Sequence, residues 1–111
     1  MTTGDRLPRR GEVWWVRVDK RRPAVVVQTD KLRDPRVRSF LVVPLTSRLH
    51  VEGLPGNVRL DRRATRLPKA SVANVYDVQK VLRIDLLKCL GMLPPESLAD
   101  LDDGLRLALD L

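Results

Sequence analysis

The chain has a single cysteine, Cys89, and a single histidine, His50. One thiol cannot close an internal disulfide and lacks the partner ligands of a metal site, so Cys89 reads as packing. One imidazole cannot form a two-imidazole acid–base pair or a histidine-rich metal cage, and His50, in a glycine-bearing loop, reads as a solvated residue. Phosphate-cradling glycine patterns and zinc-ligand spacings are absent, and the acids form no obvious metal-binding cluster. Long apolar runs are absent too: stretches such as residues 40–45 are far too short to cross a bilayer, and the first ten residues lack the apolar region of a secretory signal. The expectation is a cytoplasmic protein that does not enter membranes. An enzyme built from this inventory would use no metal or other cofactor, only arginine, hydroxyl and backbone groups.

What is present is one core and much positive charge. At 111 residues and 43% hydrophobic content the chain fits a single domain over 1–111, with residues 1–9 expected to be flexible. Lys and Arg outnumber Asp and Glu by 21 to 14. From Leu93 onward there is one basic residue, Arg106, against five acids, which leaves 20 basic and 9 acidic residues before it, a net charge of +11. That is more than solubility needs, and such a body attracts polyanions, nucleic acid first among them.

The apolar pattern describes a small β protein with a terminal helix. Residues 12–19 alternate so that Trp14, Val16 and Val18 share one face, pointing inward, while Trp15 and Arg17 share the other. Residues 23–28 form a β-branched run with Arg22 at its mouth, since the residue before a proline is biased to extended geometry. A basic loop over 30–38 leads to a strand over 39–45, where Pro44 implies an edge, a bulge or the strand's end. Residues 48–56 read as a flexible loop, and 57–60, 71–74 and 78–83 complete about six short strands, the pattern of a small barrel. A turn of helix around 85–90 is weakly signalled. After Pro94 and Pro95, Leu98, Leu101, Leu105 and Ala108 recur at helical spacing, which predicts an amphipathic helix packed on the barrel.

Three blocks then stand out in order: Arg10-Gly11-Glu12-Val13-Trp14, Arg22-Pro23-Ala24-Val25-Val26-Val27 and Val42-Val43-Pro44-Leu45-Thr46-Ser47. Each is weak alone; together with Ser71-Val72-Ala73-Asn74-Val75 and the leucine-patterned C-terminus they resemble the MazF/PemK toxins over nearly all of residues 9–111. The resemblance implies a small SH3-like (CcdB/PemK-type) barrel with a C-terminal helix. It also implies a homodimeric toxin that cuts single-stranded RNA at short sequences without metal and is held in check by a cognate acidic antitoxin. It makes Arg22 and Thr46 catalytic. Two features depart from the family pattern. Only Lys20 and Arg21 separate Asp19 from Arg22, where many members carry a long Ser-Glu-Gln loop, and Asp77 and Gln79 compete for the place of a glutamine after the Asn-Val block.

The chemistry of these residues suits the implied reaction. Attack of a ribose 2′-hydroxyl on its own phosphate builds charge on the non-bridging oxygens, which a planar guanidinium at Arg22 would stabilise and a Thr46 hydroxyl would support. Arginine does not give up its proton, so the base stays unassigned. Without the resemblance, Arg22 would read as a solvated charge and Thr46 as a turn residue. Trp15, with Arg17 and Arg21 near it, is either a stacking platform for an unstacked base or a residue buried in a dimer interface or under the helix. Ser47 and Arg48 complete the expected RNA-binding set. Two other functions fit the same barrel: a non-catalytic CcdB-like toxin acting on a protein such as gyrase, and a non-toxic RNA-binding module.

Overall fold

Three adjacent strands carry two apolar clusters, one on each face. In the computed structural model, which describes residues 7–111, β1 (Glu12–Arg17), β2 (Arg21–Val26) and β3 (Ser39–Thr46) lie antiparallel, with β2 in the middle. Successive side chains point to opposite faces. Val13, Val25 and Val43 therefore join one cluster, while Trp14, Val16, Ala24, Val26, Phe40 and Val42 join the other. β1 is thus buried on both faces: Trp15, expected to point away from the core, is half-buried against the first cluster. Val18 lies past the strand's end and is exposed instead of sharing the inner face with Trp14 and Val16.

The remaining strands are β4 (Val58–Leu60), β5 (Ser71–Ala73), β6 (Gln79–Leu82) and β7 (Leu86–Met92), and the sheet order is β4-β5-β3-β2-β1-β7. β6 shares an edge of β3 with β5. It pairs with Ser39 to Val42, and β5 takes Leu45 and Thr46, so one strand serves both halves of a curled, barrel-like sheet. Pro44 sits where the partner changes. Its carbonyl accepts from the Asn74 amide on that edge, and within a strand the nitrogen faces the same way, so its missing N–H falls in the gap between β6 and β5.

The mainly β body with a C-terminal helix matches the sequence reading, with seven strands among the described residues in place of about six. The helical turn expected around 85–90 is not there: a short 3₁₀ turn spans Arg83–Asp85, and β7 follows, paired with β1. β7 is interrupted by two register shifts that leave Leu90 and Leu87 as extra residues, which breaks the alternation that identifies a strand. The stretch 48–56 contains a 3₁₀ turn, Leu49–Gly53, and Asn57 pins it: its Nδ2 donates to Val51 O (2.9 Å) while its Oδ1 accepts from the Val75 amide (2.9 Å). The flexible start expected over 1–9 lies outside the described residues as far as residue 6. From Leu7 on, Arg33 donates to the Leu7 and Pro8 carbonyls.

Helix α1 (Arg62–Thr65) is a single turn capped by Asp61, whose carboxylate accepts from the Ala64 amide. Helix α2 (Pro95–Leu109) covers the first cluster with Leu98, Leu101, Leu105 and Ala108, the spacing seen in the sequence, and Pro95 occupies its first turn. No helix among the described residues is long and apolar enough to cross a membrane.

The block at residues 10–14 ties these parts together. Arg10 donates to Val27 O (2.9 Å) and to Asp102 of α2 (2.7 Å). Gly11, at φ +92°, donates to Val26 O and accepts from the Leu93 amide, in a place where a Cβ would press on Met92 and Leu98. Buried Glu12 accepts from the Arg9 amide (2.6 Å) and the Trp14 indole (3.3 Å). Gly104 of α2 is tighter still: a Cβ there would overlap the Gly56 carbonyl oxygen, a backbone atom that cannot swing aside. Gly104→Ala should therefore cost about 3 kcal/mol and lower Tm by roughly 10 °C or more. Gly53→Ala, with nothing within 4 Å of the new methyl, should leave Tm nearly unchanged; thermal melts followed by circular dichroism compare the two.

Candidate functional site

The ladder between β2 and β3 stops short. The pairs run Val26↔Val42, Val25↔Val43 and Ala24↔Pro44, and β2 continues to Arg21 without a β3 partner. Parity explains the stop. Val27 donates to Leu41 O, so Val25 and Pro23 also aim their backbone groups at β3, and the next bond would need an N–H that Pro23 lacks. Beyond this point lies a cleft of about 570 Å³.

The same register fixes which side chains meet there. Carried two residues past Ala24↔Pro44, it sets Arg22 across from Thr46, and residues directly opposite in antiparallel strands share a face. Both line the cleft. Thr46 Oγ1 accepts from the Arg48 amide (3.1 Å), which orients the hydroxyl, and no described residue accepts its hydrogen. The Arg22 guanidinium donates through Nε to Asp19 (3.3 Å). That contact, helped by the Asp19 and Lys20 backbone amides, holds the Asp19 carboxyl below the usual carboxylate range. Asp19 is fully solvated, so it is a weak competitor for Arg22.

Trp15 lines the cleft beside them, and the Arg21 guanidinium lies over its ring, 4.7 Å from the centroid. Cross-strand pairing brings Trp15 opposite Pro23. Ser47 and Arg48 line the cleft at the end of β3. Arg17 does not: it turns to Asp85, with Nη1 to Oδ1 at 3.9 Å. Of the seven residues singled out in the sequence, the structure thus gathers five around the cleft, adds Arg21 through its stack on Trp15, and leaves Arg17 outside. His50 is exposed and lies off the cleft, and Cys89 packs beside the second cluster.

Other cleft residues were not assigned to the site from the sequence, although Asn74 stands in one of the sequence blocks and Asp77 was weighed against Gln79 for a family position. Lys20 and Lys69 bring the cationic lining to four among the described residues, with Arg22 and Arg48; Lys69 follows Leu67 and Pro68, in no recognisable motif. Asn74 and Asp77 close the far end. Among the described residues no three His, Cys, Asp or Glu side chains come together as a cation site. The cleft is therefore a place for an anion, with a flat aromatic wall, a cluster of guanidinium and ammonium groups, and an oriented hydroxyl.

Comparison with known proteins agrees with this geometry. Residues 9–109 match the family described as PemK-like, MazF-like toxins of type II toxin–antitoxin systems. Endoribonuclease MazF6 of Mycobacterium tuberculosis is 34% identical over 110 residues, covering 92% of this chain and 96% of its own. Endoribonuclease MazF9 of the same organism is 33% identical over 117 residues, covering 95% and 98%. Among solved structures, the Mycobacterium tuberculosis toxin MazF-mt6 superposes with a TM-score of 0.79 at 26% identity, over 90% of this chain and 97% of its own. An endoribonuclease in complex with its cognate antitoxin from a mycobacterial species superposes at 0.78 and 21% identity, over 95% and 97%, and shares the fold.

A half-buried Trp15 beside a fully buried Trp14 makes the cleft observable, since the chain has no other tryptophan. Adding a short single-stranded oligonucleotide should quench part of the tryptophan fluorescence, and Trp15→Phe should abolish that response. Quenching that survives Trp15→Phe would place the ligand elsewhere.

Proposed function

The chain belongs to the PemK-like, MazF-like toxins of type II toxin–antitoxin systems, and from this we propose that it is an endoribonuclease that cuts single-stranded RNA in the cleft between β2 and β3. The observation that carries the reading is the placement of Arg22 across from Thr46 in a cationic cleft with an aromatic wall.

RNA provides its own nucleophile, the 2′-hydroxyl next to each phosphate. As the 2′-oxygen attacks phosphorus and the 5′-oxygen of the next nucleotide leaves, negative charge grows on the non-bridging oxygens. Arg22 offers several donors in one plane and a permanent charge to those oxygens, and the Thr46 hydroxyl offers one more. The Arg48 amide, bonded to Thr46 Oγ1, sets the direction of that donation. Groups already in place cost no reorganisation when the charge appears, which is where such sites gain most. A guanidinium keeps its proton, so Arg22 acts by charge, while the 2′-proton passes to solvent water and the leaving 5′-oxygen takes one from water to become a hydroxyl. Because the nucleophile is in the substrate and the counter-charge is in the protein, the step calls for no metal ion.

Around the scissile phosphate, Trp15 under Arg21 serves as a surface on which a base stacks, with Ser47 and Arg48 as further contacts. The basic body holds the rest of the strand by releasing its counterions. The partner that silences it is an acidic antitoxin whose carboxylates occupy the same cations as the RNA phosphates, so the two compete. A second copy of the chain completes a homodimer, for which exposed Leu41, Leu82 and Ile84 offer apolar surface.

The purified protein should cut single-stranded RNA in EDTA and leave 2′,3′-cyclic phosphate and 5′-hydroxyl ends. Arg22→Ala should slow cutting by 100-fold or more, the range of a lost transition-state donor, with little change in Tm because the side chain is solvated at the strand's mouth. A strict magnesium requirement, or equal losses of rate and stability, would overturn the proposal.

A further inference from the structure

Among the described residues, four cations line the cleft, and with them one carboxylate, Asp77. It is a solvated acid in a place that should receive phosphates. A negative charge there weakens RNA binding unless it meets hydrogen-bond donors, and RNA carries those on its bases and 2′-hydroxyls.

Asp77 is held in place. Its amide closes a turn on Asn74 O (3.1 Å), the Asn74 carboxamide accepts from the Tyr76 amide (3.2 Å), and the Tyr76 hydroxyl donates to Pro55 O (2.5 Å). Gln79 Nε2 donates to Asp77 Oδ2 (3.0 Å) from β6, where Gln79 pairs with Val42. Asp77 Oδ1 has no hydrogen bond among the described residues. The carboxylate is thus fixed on one side and open on the other.

Its position is offset from the reacting pair. Asn74 bonds Pro44, while Thr46 faces Val72, and Gln79 lies level with Val42. At about 3.3 Å per strand residue, Asp77 stands roughly 7 Å or more along β3 from the Arg22–Thr46 pair. That offset sets Asp77 beside the level of the reacting pair, where a neighbouring base would lie.

Building on the ribonuclease reading, we propose that Asp77 is a base-reading residue that selects a guanine beside the cut and disfavours uracil there. Guanine alone offers two adjacent N–H groups, N1–H and N2–H, on its Watson–Crick edge, which match the two oxygens of a carboxylate. Adenine and cytosine present one amino group next to an acceptor. Uracil presents its single N–H between two carbonyls that repel the charge. Gln79 is a positioning residue, since it acts by holding Oδ2.

The test uses the full chain and short uncleavable oligoribonucleotides carrying 2′-O-methyl at the cut, with each flanking position varied in turn through the four bases. Wild type should prefer guanine over uracil at one flanking position by about 10-fold or more, the range of a well-formed bidentate base contact. Asp77→Asn, which keeps the shape, should bring that ratio close to one, and Gln79→Ala should reduce it in part. A ratio unchanged in Asp77→Asn would overturn the proposal. So would an Asp77→Asn enzyme that cuts every cleavable RNA more slowly by the same factor with its base preference intact, since that would make Asp77 part of the chemistry. A wild type that shows the preference in binding yet cuts no RNA would leave Asp77 as a base reader and overturn the ribonuclease reading instead.

Discussion

The cleft exists because β2 and β3 run out of hydrogen bonds at a fixed place. Pro23 aims a nitrogen without hydrogen at β3, the ladder ends at Ala24↔Pro44, and the strands part beyond it. Had the pairing continued, Arg22 and Thr46 would sit on a closed sheet with no room for a phosphate between them. With the ladder broken, the antiparallel register still sets the two side chains opposite each other while the gap admits a ligand. Pro44 is accommodated by a second economy of the topology, because its own missing donor falls where β3 changes partner from β6 to β5.

The rest of the fold keeps that opening rigid. No residue of α2 lines the cleft; the helix covers the first cluster, which also backs the cleft through Trp15, Leu45 and Leu67, and it is fastened by the Arg10–Asp102 ion pair and by the backbone contact between Gly104 and Gly56. The acids that set the C-terminal segment apart from the basic body lie on this helix or just past its end, with Glu96, Asp100 and Asp103 solvated. Charge is thereby sorted: cations around the cleft, carboxylates on the helix. Asp19 and Asp77 are the exceptions near the site. Asp19 pairs weakly with Arg22 in the free chain, and Asp77 is braced by Gln79.

Much of this was legible in the sequence where a feature repeats with a clear period. The alternation of β1 to β3 and the spacing of Leu98, Leu101, Leu105 and Ala108 both reappear as packed faces. β7 escaped because two bulges destroy its period. Trp15 was ambiguous because β1 is buried on both sides, so alternation separates two interiors and not an interior from solvent. The block at 10–14 turns out to work for the fold, through Arg10, Gly11 and Glu12, and not for the site. Arg22, Thr46 and Ser47 were found through local blocks, and Arg48 as the residue that follows one. Lys69 was not, since only the closed topology brings its turn to the cleft, and Asp77 was visible only as a rival of Gln79 for one family position, with no role attached. Arg17 shares the Trp15 face in sequence, yet its long side chain reaches Asp85 and leaves the cleft to its neighbours.

If Arg22 and Thr46 act on one phosphate across the parted strands, their contributions must be coupled, because each positions the oxygens that the other binds. A double-mutant cycle of Arg22→Ala and Thr46→Val, read by single-turnover cleavage of a short RNA at saturating protein, measures that coupling directly. The double variant should be slowed little more than the worse single variant, a coupling of about 1 kcal/mol or more. Rate losses that simply multiply would show two residues acting independently, and the shared phosphate between β2 and β3 would have to be abandoned.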